Sequence, residues 1–160
     1  MNGVQMHLVL NHLPVFGILF GFVVLALGVW RRNESWTRLA LGVLVVVGIT
    51  AALAMLTGEG AEEAVEHLPG VSESIIHEHE EAAELTALIT YALGAGALVA
   101  LWVFRRRAIP RMLSVLALVF TMATTGFVAY TAHLGGQIRH TEIRGGAVAV
   151  DKQREEETEH

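Results

Sequence analysis

The sequence predicts an all-α fold: an integral membrane antiparallel four-helix bundle with an outer helical hairpin between its second and third helices. Three observations carry this reading. Four stretches contain no formal charge, 1–30, 39–58, 85–104 and 112–138, and roughly 20 apolar residues suffice for a helix to cross the hydrocarbon core. Two short arginine-rich turns alternate with one long glutamate-rich connection. Hydrophobic residues fill 53% of the 160 positions, and none of the four stretches has the polar face that a helix of a soluble bundle shows.

The first helix is expected over about 13–30. Its run is too long for a signal peptide, lacks a basic start, and ends in Trp30-Arg31-Arg32 rather than in a small-residue cleavage site. Pro14 suits the first turn of a helix and pushes Leu13 away from helical backbone angles. The reading therefore starts the helix near Pro14, with Asn11 or His12 as its entry and His7 and His12 on a bent approach segment. The second helix is expected over about 37–58 and the outer hairpin over about 59–81. In that hairpin Leu68-Pro69-Gly70 is a stop and turn, and Ser72 or Ser74 caps the run into the third helix, about 82–104. The fourth helix covers about 111–134, where Gly135-Gly136 either ends it or opens its backbone to a close approach. Residues 1–145 then form the bundle, and 146–160 a polar tail.

Charge in the connections sets the orientation. The turn after the first helix holds Arg31, Arg32 and Arg38 against Glu34, and the turn after the third holds Arg105, Arg106, Arg107 and Arg111 with no acid. Short arginine-rich loops stay cytoplasmic. The connection from Glu59 to Glu84, with nine glutamates and no Lys or Arg, is then outside, as are both termini. Trp30, Trp36 and Trp102 fall near the inner ends, where interfacial anchors belong. This is the topology of a multi-pass protein of a bacterial cytoplasmic (inner) membrane.

All eight histidines then fall on the outer side. His7 and His12 open the first helix, His67, His77 and His79 lie in the acidic connection, His133 and His140 close the fourth helix, and His160 is in the tail. His79 heads a stripe of small residues through Ala83, Ala87, Thr90, Gly94 and Ala97; His133 looks back on Ala129, Gly126 and Thr125. Small residues serve close helix packing in membranes. They also leave slots for a flat macrocycle, and haem sites in bundles use side chains on facing helices, imidazole being a common axial ligand.

Three function classes follow. The first is a b-type cytochrome-like electron-transfer subunit with haem b at the outer, periplasmic face. His12, His79 and His133 are the preferred axial ligands, His7 a fourth, and Arg139 and Arg144 neutralise the propionates. Its partner is a redox protein or a quinol at the outer face. The second is a zinc, copper or iron site built from Glu63/His67 and Glu73/His77, both spaced i, i+4, with His140 nearby. The third is a non-catalytic accessory subunit of a larger membrane complex or homo-oligomer, the glutamates being a solvated face. An electron carrier or subunit fits better than a stand-alone enzyme.

Other classes are disfavoured. Thiolate metal sites and disulfides are excluded by the absence of cysteine. A transporter is disfavoured by uncharged helix centres, a hydrolase by the lack of a visible nucleophile–base pair. Nucleic acid is excluded by the acidic outer surface and the net charge of −5.

The segments "HLVLNHLP", "TGEGAEEAVEHLPG", "IIHEHEEAAEL" and "HLGGQIRH" resemble a family of small four-helix bacterial membrane proteins of unknown function. Its signature is two histidines five apart, with a proline two residues on. The resemblance spans roughly residues 6 to 145. It implies haem b or work beside redox proteins, with His7, His12, His79 and His133 at the pattern's positions. Leu8 stands where the family often has proline, and "IRHTEI" replaces its Tyr-x-His-Gly-like ending.

Overall fold

The computed structural model is all-helical and describes residues 3–64 and 71–140. Its elements are α1 (Gly3–Arg31), α2 (Glu34–Glu62), α3 (Glu73–Val103) and α4 (Arg111–Arg139). All four are long and apolar enough to cross a membrane.

One helix start differs from the sequence reading. α1 begins at Gly3 and runs unbroken through Pro14, so His7 and His12 lie on one continuous helix and not on a bent approach. Proline removes one backbone donor and faces the carbonyl four residues back, but helices in membranes tolerate it where neighbours re-satisfy the freed groups. Five residues on one helix turn a side chain by about 140°, so the two imidazoles leave α1 on different faces. α3 begins at Glu73, so the outer run expected after Ser72 or Ser74 and the third span are one unbroken helix. Ser72 holds the N-cap position without a side-chain capping bond, and its carbonyl accepts from the amides of Ile75 and Ile76. α4 continues through Gly135-Gly136. The hairpin tip around Leu68-Pro69-Gly70 lies outside the described residues.

Each helix packs against two others: α1 on α2 and α4, and α3 on α2 and α4. Small residues set the seams. A Cβ on Gly94 would stand 3.1 Å from the Leu44 carbonyl and 3.2 Å from the Gly48 Cα, so α2 and α3 approach backbone to backbone there. Exposure is inverted relative to a water-soluble protein. Phe16, Leu56, Leu88, Met112 and Phe120 face outward, while Thr86, Thr90, Thr121 and Thr124 are buried. Apolar exterior and small or hydroxyl-bearing seams are what a lipid surround selects. Thr90, Thr121 and Thr124 return their hydroxyls to carbonyls of their own helix, Thr90 to Thr86 at 2.7 Å and Thr121 to Ala117 at 2.7 Å. No buried side-chain polar atom among the described residues lacks a partner.

One end of the molecule gathers the loop arginines. Arg32 turns the chain with a positive φ of 50°, Asn33 accepts from the Trp36 amide at 3.2 Å and so caps α2. Arg38 pairs with Glu34 at 2.8 Å and donates to the Phe104 and Arg107 carbonyls at 2.7 and 2.8 Å. The Glu34 carboxylate also accepts from the Ile109 amide at 3.2 Å. The start of α2 is thereby tied to the turn between α3 and α4.

Candidate functional site

The opposite end carries the described histidines, at the start of α1, the start of α3 and the end of α4. Two of them enter seams between helices. His7 projects from α1 onto α2, where its Nδ1 meets the Ala54 carbonyl at 3.1 Å and the Thr57 hydroxyl at 3.3 Å. His79 projects from α3 onto α4, where its Nδ1 meets the Thr131 carbonyl at 3.1 Å. A carbonyl can only accept, so each Nδ1 carries the proton of the neutral ring and each Nε2 keeps its lone pair. A ring held this way has its tautomer and orientation fixed, as in histidines that ligate metals.

Glycines make room for both rings. A Cβ on Gly58 would stand 3.6 Å from the Cε1 of His7, and one on Gly135 only 3.0 Å from the Cε1 of His79. The continuation of α4 past residue 134 therefore serves the close approach, with Gly135 lying directly under the imidazole. The seam beside His79 is braced by hydroxyls: Thr86 and Thr131 meet at 2.9 Å, and Thr131 donates to the Ala82 carbonyl at 3.2 Å.

The other candidates sit differently. His12 is exposed, its Nδ1 turned back on the Leu8 carbonyl of its own helix and its ring 5.9 Å from that of Phe16. His133 is exposed on α4, its Nε2 engaged with the Gln137 side-chain amide at 2.7 Å. Neither shares the seam positions of His7 and His79. Of the two histidines expected to head small-residue stripes, His79 crosses to α4, while His133 leaves α4 exposed. His140 is exposed just past α4, with its amide on the Gly136 carbonyl. Arg139 closes α4, but its side chain lies outside the described residues, as do His67 and Arg144.

The carboxylate candidates disperse. His77 is exposed beside Glu81 at 3.3 Å and Glu80 at 4.0 Å. It borders a cavity of about 220 Å³ with Glu62, Glu73, Ile76 and Glu80. Glu63 is exposed past the end of α2. Among the described residues no three His, Asp or Glu side chains converge as a metal-ion site. A second cavity, of about 420 Å³, is lined by Ala52, Met55, Leu56 and Tyr91 between α2 and α3.

Sequence reasoning did not identify the Ala54 and Thr131 carbonyls or the glycine seats. The signal available was a glycine four residues after each accepting carbonyl, Gly58 after Ala54 and Gly135 after Thr131. No protein-family model, curated protein or solved structure matches this chain.

Proposed function

We propose that this protein is an antiparallel four-helix bundle of a bacterial cytoplasmic membrane, with both termini outside, that holds haem b through His7 and His79 and passes electrons at its outer face. Membership of the H-x4-H-x-P family belongs to the same proposal. The observation that carries it is the pair of seam histidines, each anchored through Nδ1 to the neighbouring helix with Nε2 left as a ligand atom. A bare divalent ion needs three or more protein ligands, and no such group is arranged among the described residues. Haem needs two, because the macrocycle occupies the remaining positions of the iron. The two anchored imidazoles supply that number of donors.

Bound haem would supply a one-electron couple at iron. The chain's own part is to fix the two ring planes through the carbonyl acceptors and to surround them with helix. The decisive measurement is an absorption spectrum of the detergent-purified protein, oxidised and reduced. Reducible Soret and alpha bands are expected, weakened in His7→Ala and in His79→Ala. A colourless protein carrying stoichiometric zinc or copper would replace this reading by a metal-ion site. A cofactor-free protein with stable co-purifying subunits would replace it by an accessory role.

A further inference from the structure

The cavity of about 420 Å³ between α2 and α3 is lined by Ala52, Met55, Leu56 and Tyr91, and small-molecule sites run from roughly 300 to 1,000 Å³. It opens just beyond the Gly48–Gly94 contact, toward the histidine end. Ala52 follows Gly48 by about one turn of α2, and Tyr91 precedes Gly94 by about one turn of α3. Met55 and Leu56 are exposed, so the cleft faces the surrounding lipid. Tyr91 gives it its one hydrogen-bonding side chain. Among the described residues that hydroxyl has no partner. Every threonine from Thr37 to Thr131 has one, a carbonyl or another threonine. A threonine hydroxyl reaches a carbonyl of its own helix; a phenol oxygen stands too far from its own backbone to do so.

Depth makes that lack costly. Tyr91 lies eleven residues from Trp102 and seven from Glu84, about 16 and 10 Å along the helix, inside a hydrocarbon core about 30 Å thick. A hydroxyl without a hydrogen bond is unfavourable there. Packing does not require it either. The chain has two alike halves, α1–α2 and α3–α4. In each, a histidine meets a carbonyl of the next helix with a glycine one turn beyond, His7 in the first and His79 in the second. The interval from His7 to Trp30 equals that from His79 to Trp102, and the same interval sets Tyr91 against Leu19, an exposed leucine. An apolar side chain serves the first half, so the hydroxyl in the second meets a need other than packing.

We propose that this cleft binds a membrane-dissolved quinone, the Tyr91 hydroxyl donating to a ring carbonyl, with Ala52, Met55 and Leu56 against the ring. Entry from lipid excludes ions and water-soluble ligands. A second copy of the chain would present the leucines, valines, phenylalanines and methionines of its exterior, which leave a phenol unsatisfied. Acyl chains carry no acceptor, and the ester carbonyls of phospholipids belong at the headgroup boundary, above Tyr91. A quinone joins a compact ring bearing carbonyls to a tail that stays in lipid, and a flexible methionine such as Met55 adapts to a flat ring. It is the oxidised form of the quinol expected as a partner, here given a site. The binding does not rest on the haem reading.

The test is titration of the full-length protein, held in nanodiscs of ether-linked phospholipid, with a decyl-tailed benzoquinone whose carbonyls are isotope-labelled. Ether lipids contain no ester carbonyl, so the quinone alone offers an acceptor of this kind. Infrared difference spectra should show one ring carbonyl shifted to lower frequency. Tyr91→Phe keeps the ring and the cleft. It should lose the shifted band and bind about tenfold more weakly, the contribution of one hydrogen bond. Tyr91→Leu should behave alike, and Ala52→Leu, which fills the cleft, should bind no quinone. Wild-type unfolding midpoints in these variants separate loss of the site from misfolding. No binding by the wild type, an unshifted carbonyl, or equal binding by Tyr91→Phe would overturn the proposal. So would a change of oligomeric state in Tyr91→Phe, which assigns the cleft to a second copy. A Tyr91-dependent shift of the ester band in ester lipids, without quinone binding, would assign it to phospholipid instead. Haem uptake should be equal in wild type and Tyr91→Phe, so the two readings fail separately.

Discussion

The two ends of the molecule are built on opposite principles. At the arginine end the polar groups are charged and used up: Arg38 binds Glu34 and two carbonyls, and Glu34 also holds the Ile109 amide. At the histidine end each of the two seam imidazoles, His7 and His79, spends one nitrogen on a carbonyl of the neighbouring helix and keeps the other. The first arrangement locks two turns together. The second orients a group without exhausting it. An ionised group with its donors and acceptors satisfied serves as a fastening, whereas a ligand needs one nitrogen held and the other open. The contrast sets a fastening at one end against two oriented imidazoles at the other.

The largest expected effect tests the fastening. At Gly28 a Cβ would fall 2.9 Å from the Thr37 backbone nitrogen and 2.9 Å from the Thr37 hydroxyl. A helix backbone cannot step aside as a side chain can, so Gly28→Ala should force α1 and α2 apart where their turn is shortest. The loss should reach about 3 kcal/mol, the upper range for overpacking a tight contact, read by thermal or denaturant unfolding in detergent. A wild-type midpoint would show that this end is looser than its geometry implies.

Arg38→Ala comes next. It removes one ion pair and two charge-assisted hydrogen bonds, but the side chain is 30% exposed and water replaces part of the loss. About 2 kcal/mol is expected. Arg38→Lys should recover only part of it, because an ammonium lacks the planar fork that spans two carbonyls and a carboxylate. Full recovery by lysine would mean that charge alone fastens the turns.

A smaller effect is expected at the histidine end, and it discriminates between the two halves. Gly135→Ala places a methyl 3.0 Å from the His79 ring, and Gly58→Ala places one 3.6 Å from the His7 ring, an ordinary contact. The imidazole can rotate, so Gly135→Ala should cost about 1 kcal/mol, with Gly58→Ala near wild type. On the proposed haem reading, Gly135→Ala should also shift the iron signal, since it moves the proposed ligand His79. Equal effects from both substitutions would mean that the two seats are equally tight.

Much of the fold was legible in the sequence, because four uncharged stretches of this length have few alternatives and the arginine turns mark one end. The start of the first helix was less so. Pro14 carries the same signal at a first turn as inside a membrane helix, and only the surrounding packing separates them. That one ambiguity moved His7: on a bent approach its direction is open, but on a continuous α1 it must diverge from His12 and meet α2. The outward faces of His12 and His133 were not legible for a related reason. Spacing along one helix orders its side chains relative to each other but does not tell which of them faces a neighbour. Gly135-Gly136 was read as a stop or a site of close approach, and the ring of His79 decides for the second.

The smallest expected effect is the sharpest check on the pairing. His12→Ala removes a ring that bonds only its own helix and lies on an exposed face beside Phe16. His133→Ala removes one that bonds Gln137 on its own helix, also exposed. Surface substitutions of this kind stay within about 0.5 kcal/mol, so both variants should unfold with the wild type. They should also leave the haem spectrum unchanged, in contrast to His7→Ala and His79→Ala, because nothing they touch crosses a seam. A spectrum lost in His133→Ala but kept in His7→Ala would reverse the assignment. It would mean that the helix ends rotate on cofactor binding, turning an outward histidine inward at the expense of one now anchored between helices. The two hydrogen bonds of His7 to α2 argue against that rotation, since it would leave the Ala54 carbonyl and the Thr57 hydroxyl without the ring that joins them to α1.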